Sequence, residues 1–360
     1  MKKTGKSTYI PSSAVTVGAW QAIVGQKEKE GPLGKYFDLY SNDEYFGQET
    51  YEKAEAQMQK EAMNRVFEKA NLRDEDVDFI FAGDLLNQCV SSAYGSRDRG
   101  AGYFGLYGAC STVIEAAIIA AMTIDGSFAK RAVAITSSHF CTAERQYRYP
   151  LNYGSVRPPS AQSTAEREFR FPQELGNQRT PSAQWTVTGS GCLLLTDEDI
   201  PNMPKISAFC PGTIIDMGIS DINNMGAAMA PAASSTICAH FEATKTTPQD
   251  YDLILTGDLG MLGKKITLEL VRRSGYELEG KIEDCGCLIF DESQDVHMGG
   301  SGCGCSASVL NSEIYRKLRN GTYKKILFIA TGALLSLTSS MQGDSVPSIA
   351  HAVCIRGENA

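Results

Sequence analysis

The chain predicts an α/β fold built from two similar halves and stacked as a duplicated αβαβα layered sandwich. Three observations predict it. Two sequence blocks recur in the same order, their apolar runs have the length of buried strands, and helical stretches alternate with those runs. Residues 74–85 read DEDVDFIFAGDL and residues 248–259 read PQDYDLILTGDL. Without gaps they agree at Asp76/Asp250, Asp78/Asp252, Ile80/Ile254, Gly83/Gly257, Asp84/Asp258 and Leu85/Leu259.

Each first block follows a helical stretch, residues 50–70 and 226–244, and ends as an apolar run meeting Gly-Asp. That is the pattern of a buried strand entering a turn. The second block opens with Cys110-Ser-Thr in one half and Cys305-Ser-Ala in the other. A small-residue helix follows each, then residues 126–136 (GSFAKRAVAIT) and 321–331 (GTYKKILFIAT). A glycine ends the helix and a basic pair leads into the next buried strand. Residues 185–196 and 348–356 close the two halves as apolar strands. The expected halves are residues 1–200 and 201–360, meeting near the polar, proline-containing stretch 197–204 (DEDIPNMP). Buried parallel strands then need helices on both faces.

Composition limits the functions available. The 360 residues carry a formal net charge of −8, which excludes the basic face a nucleic-acid binder needs. Eleven cysteines, an odd number without a secretory signal, fit a reducing compartment better than a disulfide framework. The pairs Cys285/Cys287 and Cys303/Cys305, with only four histidines in the chain, make no zinc pattern. Neither metal nor cofactor is expected. The basic residues 1–13 lack an apolar segment behind them, and the apolar stretches 113–124 and 326–337 fall short of the ~20 residues that span a bilayer. Membrane association is therefore expected to go through partners.

The segment Gly108-Ala109-Cys110-Ser111-Thr112 ahead of a buried helix resembles the nucleophile segment of the thiolase superfamily, the thiolases and β-ketoacyl synthases. A cysteine suits that place because amides at a helix N-terminus favour the thiolate. The plainer reading is a small cysteine packed at a helix start. The resemblance implies two further groups from the second half, a histidine and an asparagine or histidine, which activate the nucleophile and stabilise the thioester oxyanion. At the first of these positions the chain reads Thr256-Gly257-Asp258-Leu259-Gly260, so Asp258 stands where the base is required. At the second, Cys303-Gly304-Cys305-Ser306-Ala307-Ser308 matches best with Cys303 in place, whereas the internal repeat selects Cys305. A carboxylate beside Cys110 disfavours the thiolate, and a neutral thiol is a poor oxyanion donor. His297, next to the glycine-rich stretch 298–302, is the one histidine placed to swing in; His139, His240 and His351 read as structural.

Within that superfamily, three stretches resemble the stage V sporulation protein AD family of spore-forming bacteria: residues 15–38 (VTVGAWQAIVGQKEKEGPLGKYFD), 300–310 (GSGCGCSASVL) and 330–336 (ATGALLS). The resemblance implies a non-enzymatic protein that binds dipicolinic acid (pyridine-2,6-dicarboxylate), alone or with calcium. It also implies action with the other SpoVA membrane proteins, at the cytoplasmic side of the spore inner membrane, in moving the calcium salt into the forespore. A homodimer is implied as well. The implied ligand contacts are Cys110, Asp258, Cys303 or Cys305, and His297. The competing reading is an acyl-CoA condensing enzyme or thioesterase with an altered base.

Three other features bear on the site. Residues 141–184 carry Arg145, Arg148, Arg157, Arg167, Arg170 and Arg179, a set suited to gripping a dicarboxylate from a lid or, more plainly, a solvated or dimer-contacting insertion. Residues 25–41 mix charge with exposed-looking aromatics, as a partner-docking loop or an ordinary insertion would. Asp84 and Asn87 are the first-half counterparts that can line the same cavity.

Overall fold

The computed structural model describes residues 1–148 and 179–357. Ten strands carry the fold. The first five are β1 (Thr16–Val24), β2 (Phe79–Gly83), β3 (Gly102–Leu106), β4 (Arg131–Ser138) and β5 (Gly189–Thr196). The second five are β6 (Lys205–Cys210), β7 (Leu253–Thr256), β8 (Ile282–Asp284), β9 (Lys325–Ala333) and β10 (Ser348–Arg356). Their order is β1-β5-β4-β2-β3 in one half and β6-β10-β9-β7-β8 in the other. In both, the first two junctions are antiparallel and the last two parallel. The expected all-parallel sheets are thus mixed, because each closing strand returns antiparallel between its neighbours. The halves join where Lys205 of β6 pairs with Thr16 of β1.

The duplication runs deeper than the two blocks suggest. Helix α1 (Tyr51–Ala70) and helix α4 (Met225–Thr244) are each 20 residues long. Thr50 caps one and Asn224 the other, each accepting a backbone amide from the third residue on. Both end on a residue in the left-handed region, Asn71 at φ 52° and Lys245 at φ 56°. One ungapped register therefore joins helix, 3-10 turn and strand in both halves.

The second block needs a correction of one residue. Asp78 accepts from the amides of Lys130 and Arg131, and Asp252 from those of Lys324 and Lys325. Arg131 therefore corresponds to Lys325, and Ser127 (φ 60°), not Gly126, corresponds to Gly321 (φ 77°). Matching glycine to glycine slipped the register, since the first half tolerates a serine in the left-handed region.

Helix α3 (Thr112–Asp125) and helix α6 (Cys303–Val309), which follow α2 (Val90–Ser96) and α5 (Gly260–Arg273) in the two halves, are buried on nearly every side. Apolar all round, they form the central layer between the two half-sheets, while α1 and α4 cover the outer faces. Helix α6 runs on through a π turn, Leu310–Ile314, into a last helical turn, Tyr315–Arg319. The π turn takes up one extra residue. Counting back from the matched helix ends Asp125 and Arg319, it brings Cys303 opposite Cys110. Among the described residues, no helix is long and apolar enough to cross a membrane.

Candidate binding site

The two helix starts meet between the half-sheets. Ala109 sits at φ 50°, where a Cβ is disfavoured, and this turn sets Cys110 just ahead of α3. The Cys303 thiol donates to the Ala109 carbonyl at 2.9 Å, and Cys110, Cys303, Leu85 and Ala143 pack as one small cluster. Cys305 is turned away: its sulfur lies 3.8 Å from the Gly257 carbonyl, within the main core.

Asp258 follows the end of β7 and is fully buried. Its carboxylate accepts from Ser301 Oγ (3.0 Å), the Gly302 amide (2.9 Å) and Thr331 Oγ1 (2.9 Å). The Cys110 sulfur lies close enough to this carboxylate for each group to shift the other's titration. Gly302 reaches that position at φ 98°, and a Cβ there would meet Ser138 Oγ at 2.7 Å. The glycine is required on both counts. Ser301, Gly302 and Thr331 were not singled out from the sequence, although the glycine-rich stretch was a signal for the second of them.

These contacts decide the protonation. Burial pushes the Cys110 thiol well above its ordinary value, and the Asp258 charge and Cys303 push it further, against the pull of the Gly302 amide. Burial raises the Asp258 carboxyl to about 6, with the Cys110 and Gly302 hydrogen bonds pulling it back down. The Cys303 thiol is likewise raised well above its ordinary value, chiefly by burial. A nucleophilic cysteine needs the opposite shift. Here the thiol keeps its proton, beside the buried carboxylate.

Above the pair lies a cavity of about 60 Å³ bordered by Cys110, Tyr107, Tyr147, Glu144, Met225 and Leu335. Tyr107 and Tyr147 hydroxyls lie 3.1 Å apart, and the Tyr147 hydroxyl also donates to the Leu85 carbonyl. No histidine borders this cavity among the described residues. His297 stands elsewhere, held by the Thr180 carbonyl (2.7 Å) and Asp295 (3.3 Å), so the swing expected of it would have to break both contacts. His139, His240 and His351 are buried, bonded to Glu44, Tyr251 and Gly212 respectively, and each is lowered to about 4 by burial.

Asp84 is also buried, but its carboxylate turns to the amides of Leu86 and Ser92 and the Ser92 hydroxyl; Asn87 is exposed. Neither borders the cavity. Of the arginines proposed for a lid, Arg145 pairs with Glu52 and Arg179 lies over Trp185 while donating to the Asp295 carbonyl. Arg157, Arg167 and Arg170, and the Arg148 side chain, fall outside the described residues. The stretch 25–41 is less exposed than it reads. Leu33 and Phe37 are buried, Glu28 accepts the Thr188 amide, and Leu39–Tyr40 pairs with β1.

The family model described as "Stage V sporulation protein AD (SpoVAD)" matches residues 5–165 and 160–356. The chain is 42% identical over 353 residues to the stage V sporulation protein AD of Bacillus subtilis (strain 168), covering 98% of this chain and 97% of that one. The chain belongs to the stage V sporulation protein AD family. That membership supports a role in sporulation. Solved structures give the fold of this SpoVAD-family chain. OleA of Xanthomonas campestris superposes with a TM-score of 0.57 at 11% identity, covering 97% of this chain and 99% of that one. The 3-oxoacyl-[acyl-carrier-protein] synthase III of Aquifex aeolicus VF5 gives 0.53 at 14% identity, covering 95% and 99%. The SpoVAD-family fold is therefore thiolase-like, as the nucleophile segment implied.

Proposed function

We propose that this protein is a non-catalytic receptor for dipicolinic acid. It would act with the SpoVA membrane proteins, at the cytoplasmic side of the spore inner membrane, in moving calcium dipicolinate into the forespore. The observation that carries the reading is the Cys110–Asp258 pair: burial holds the proton on the thiol beside a buried carboxylate, and no histidine borders the cavity among the described residues. That arrangement keeps a polar, enclosed place at the meeting of the two helix starts while removing the condensation chemistry. Losing a general base alone costs roughly 10²–10⁴-fold in rate.

The ligand is a flat ring with two carboxylates, larger than the cavity of about 60 Å³. Its entry requires the side chains of Tyr147 and Leu335 to withdraw. The Cys110 thiol and the Tyr107 and Tyr147 hydroxyls then become donors to its carboxylates. Asp258 is a like charge beside a dianion, relieved by protonation or by a bridging calcium ion. Free dipicolinate should therefore bind more tightly as pH falls through about 6, where Asp258 takes up its proton. The calcium complex should hold its affinity above that pH.

Calorimetric titration with dipicolinate, with and without calcium, tests the reading. Cys110→Ala and Asp258→Ala should each weaken binding by about five- to 150-fold, the range for a lost buried contact. Unchanged affinity in both folded variants places the ligand elsewhere. Rapid release of CoA from an acyl-CoA, abolished by Cys110→Ala, would establish the condensing-enzyme or thioesterase reading instead. The proposal includes a homodimer formed along β3, an edge strand with exposed Tyr103 and Phe104.

A further inference from the structure

The pseudo-symmetry leaves one groove filled and its twin open. In the second half, a hairpin of the chain's own residues, Lys2–Thr4 paired with Thr8–Ile10, lies against β6 and the end of α4. Tyr9 pairs with Phe209 and stacks on its ring at 5.7 Å. Thr4 Oγ1 donates to the Ala243 carbonyl (3.1 Å), and Gly5 rests so close to Ala243 that a Cβ there would meet its Cβ at 2.6 Å. The segment beyond the hairpin is tied down at the end of α3, where Asp125 accepts the amides of Ser12 (2.6 Å) and Ser13 (2.9 Å).

The register of the repeat identifies the twin. Trp20 corresponds to Phe209, since both follow the matching bulges in β1 and β6. Lys69 corresponds to Ala243, Arg131 to Lys325 and Arg319 to Asp125. These first-half positions border an open cleft of about 940 Å³ on the face of β1, floored by Trp20, Leu72 and Leu194. No segment of the described chain fills it. The Lys69 ammonium instead caps the carbonyl of Trp20 at 2.9 Å, the residue whose counterpart pairs with the hairpin.

The charge differs between the two grooves at two matched positions, Arg319 against Asp125 and Lys69 against Ala243, while Arg131 and Lys325 are both basic. The filled one receives a hairpin carrying Lys2, Lys3 and Lys6 and fixes its tail on the acid Asp125. The open one is bordered by Lys69, Arg131, Arg316 and Arg319 against a single acid, Glu198, in a chain of net charge −8. Arg131 pairs with Glu198 and Arg316 with Asp38, while the exposed Arg319 has no hydrogen bond or ion pair among the described residues. Basic residues at helix ends offset the helix dipole, which accounts for Lys69 and Arg319 singly. It does not account for a cleft of hairpin shape left unfilled beside them.

We infer that this cleft docks an acidic, extended segment of a partner protein, seated along β1 as the chain's own basic hairpin is seated along β6. The segment displaces the Lys69 ammonium from Trp20, lays an apolar side chain against the half-buried Leu72 and Ile200 and sets carboxylates against Arg319, Arg316 and Lys69. The cleft and the Cys110 cavity share no bordering residue, so this site stands apart from the ligand-binding reading.

The probe is a fluorescent peptide of residues 1–13 carrying Lys2→Glu, Lys3→Glu and Lys6→Glu, which keeps the hairpin's shape and reverses its charge. Anisotropy with the full chain should show it binding roughly ten-fold more tightly than the unmodified peptide, and more weakly as salt is raised. Arg319→Glu, on an exposed side chain that leaves the fold intact, should abolish that preference, and Arg316→Ala should reduce it. Equal binding of the two peptides, or a preference unchanged in both variants, overturns the proposal. Inorganic pyrophosphate binding that depends on Arg319, with no binding of the reversed peptide, also overturns it and makes the cleft a small-anion site.

Discussion

At Cys110 the amides opening α3 favour a thiolate, while burial and Asp258 hold the proton on sulfur, and the second pair wins. Alkylation by iodoacetamide near pH 8 should therefore modify Cys110 at least ~10-fold more slowly than the same cysteine in the unfolded chain, with Asp258→Asn restoring part of the rate. Timed mass spectrometry reads the outcome, and equal rates in folded and unfolded chains would refute this account. Asp258 makes a second test. Its carboxyl stands at about 6 instead of 3.8, so between those values the folded chain holds a proton that the unfolded chain has released. Stability from this group falls as pH rises through that window, by about 3 kcal/mol at most, and stays low above it. Urea melts of the parent and Asp258→Asn at pH 4.5 and 7 should show the variant losing less. Both residues were legible in the sequence, because a motif and an ungapped repeat each point at one position. The choice between Cys303 and Cys305 was not, because a π turn seven residues on shifts the helix start without any local sign. His297 looked available because a neighbouring glycine run suggests freedom, yet Thr180 and Asp295 occupy both of its nitrogens.

Helix, turn and strand recur so closely that backbone conformations can be exchanged between halves as a test. Ser127 and Gly321 occupy the same left-handed position after matched helix ends, and nothing lies within 4 Å of a Cβ built at Gly321. Gly321→Ala should therefore cost about 1 kcal/mol from backbone strain alone, seen as a lower urea midpoint with unchanged slope. The insertion at 25–41 carries a different liability. Burial pushes the Glu28 carboxyl up to about 8, against the Thr188 amide that favours its charge. The folded chain keeps that proton while the unfolded chain has lost it above pH 4.5, so stability falls as pH rises toward 8. Glu28→Gln should match the parent near pH 5 and melt higher than it near pH 9. The long helices and central strands were readable from periodicity, since their burial imposes it. The three-residue hairpin strands and β3 were not, because short, partly exposed strands carry no sustained alternation; in 25–41, Leu33 and Phe37 fill the core while Tyr40 stays exposed.

On the scale of the whole molecule, two strands end the sheets, β8 in the second half and β3 in the first, and among the described residues β3 pairs only with β2. β3 is exposed along most of its length, with Phe104 at 51% and Tyr107, just beyond it, at 42%. A free edge with exposed aromatics and no charged side chain invites another strand. Two copies meeting there about a twofold axis would place β3 against β3 and join the half-sheets across the pair. The sequence Gly-Tyr-Phe-Gly-Leu suits such a contact, since its glycines let the backbones approach and its rings supply buried area. The consequence reaches the cavity. Tyr107 leaves β3 directly and touches Tyr147 at the cavity border, so pairing the edge would fix a group at the proposed ligand site. Phe104→Lys should therefore convert the proposed dimer to a monomer in sedimentation equilibrium, and it should weaken the proposed dipicolinate binding even though residue 104 borders no part of the cavity. By linkage, saturating ligand should tighten the parent dimer and leave the monomeric variant's mass unchanged. A variant that stays dimeric would move the interface to another face, and a monomer with full affinity would uncouple the edge from the site.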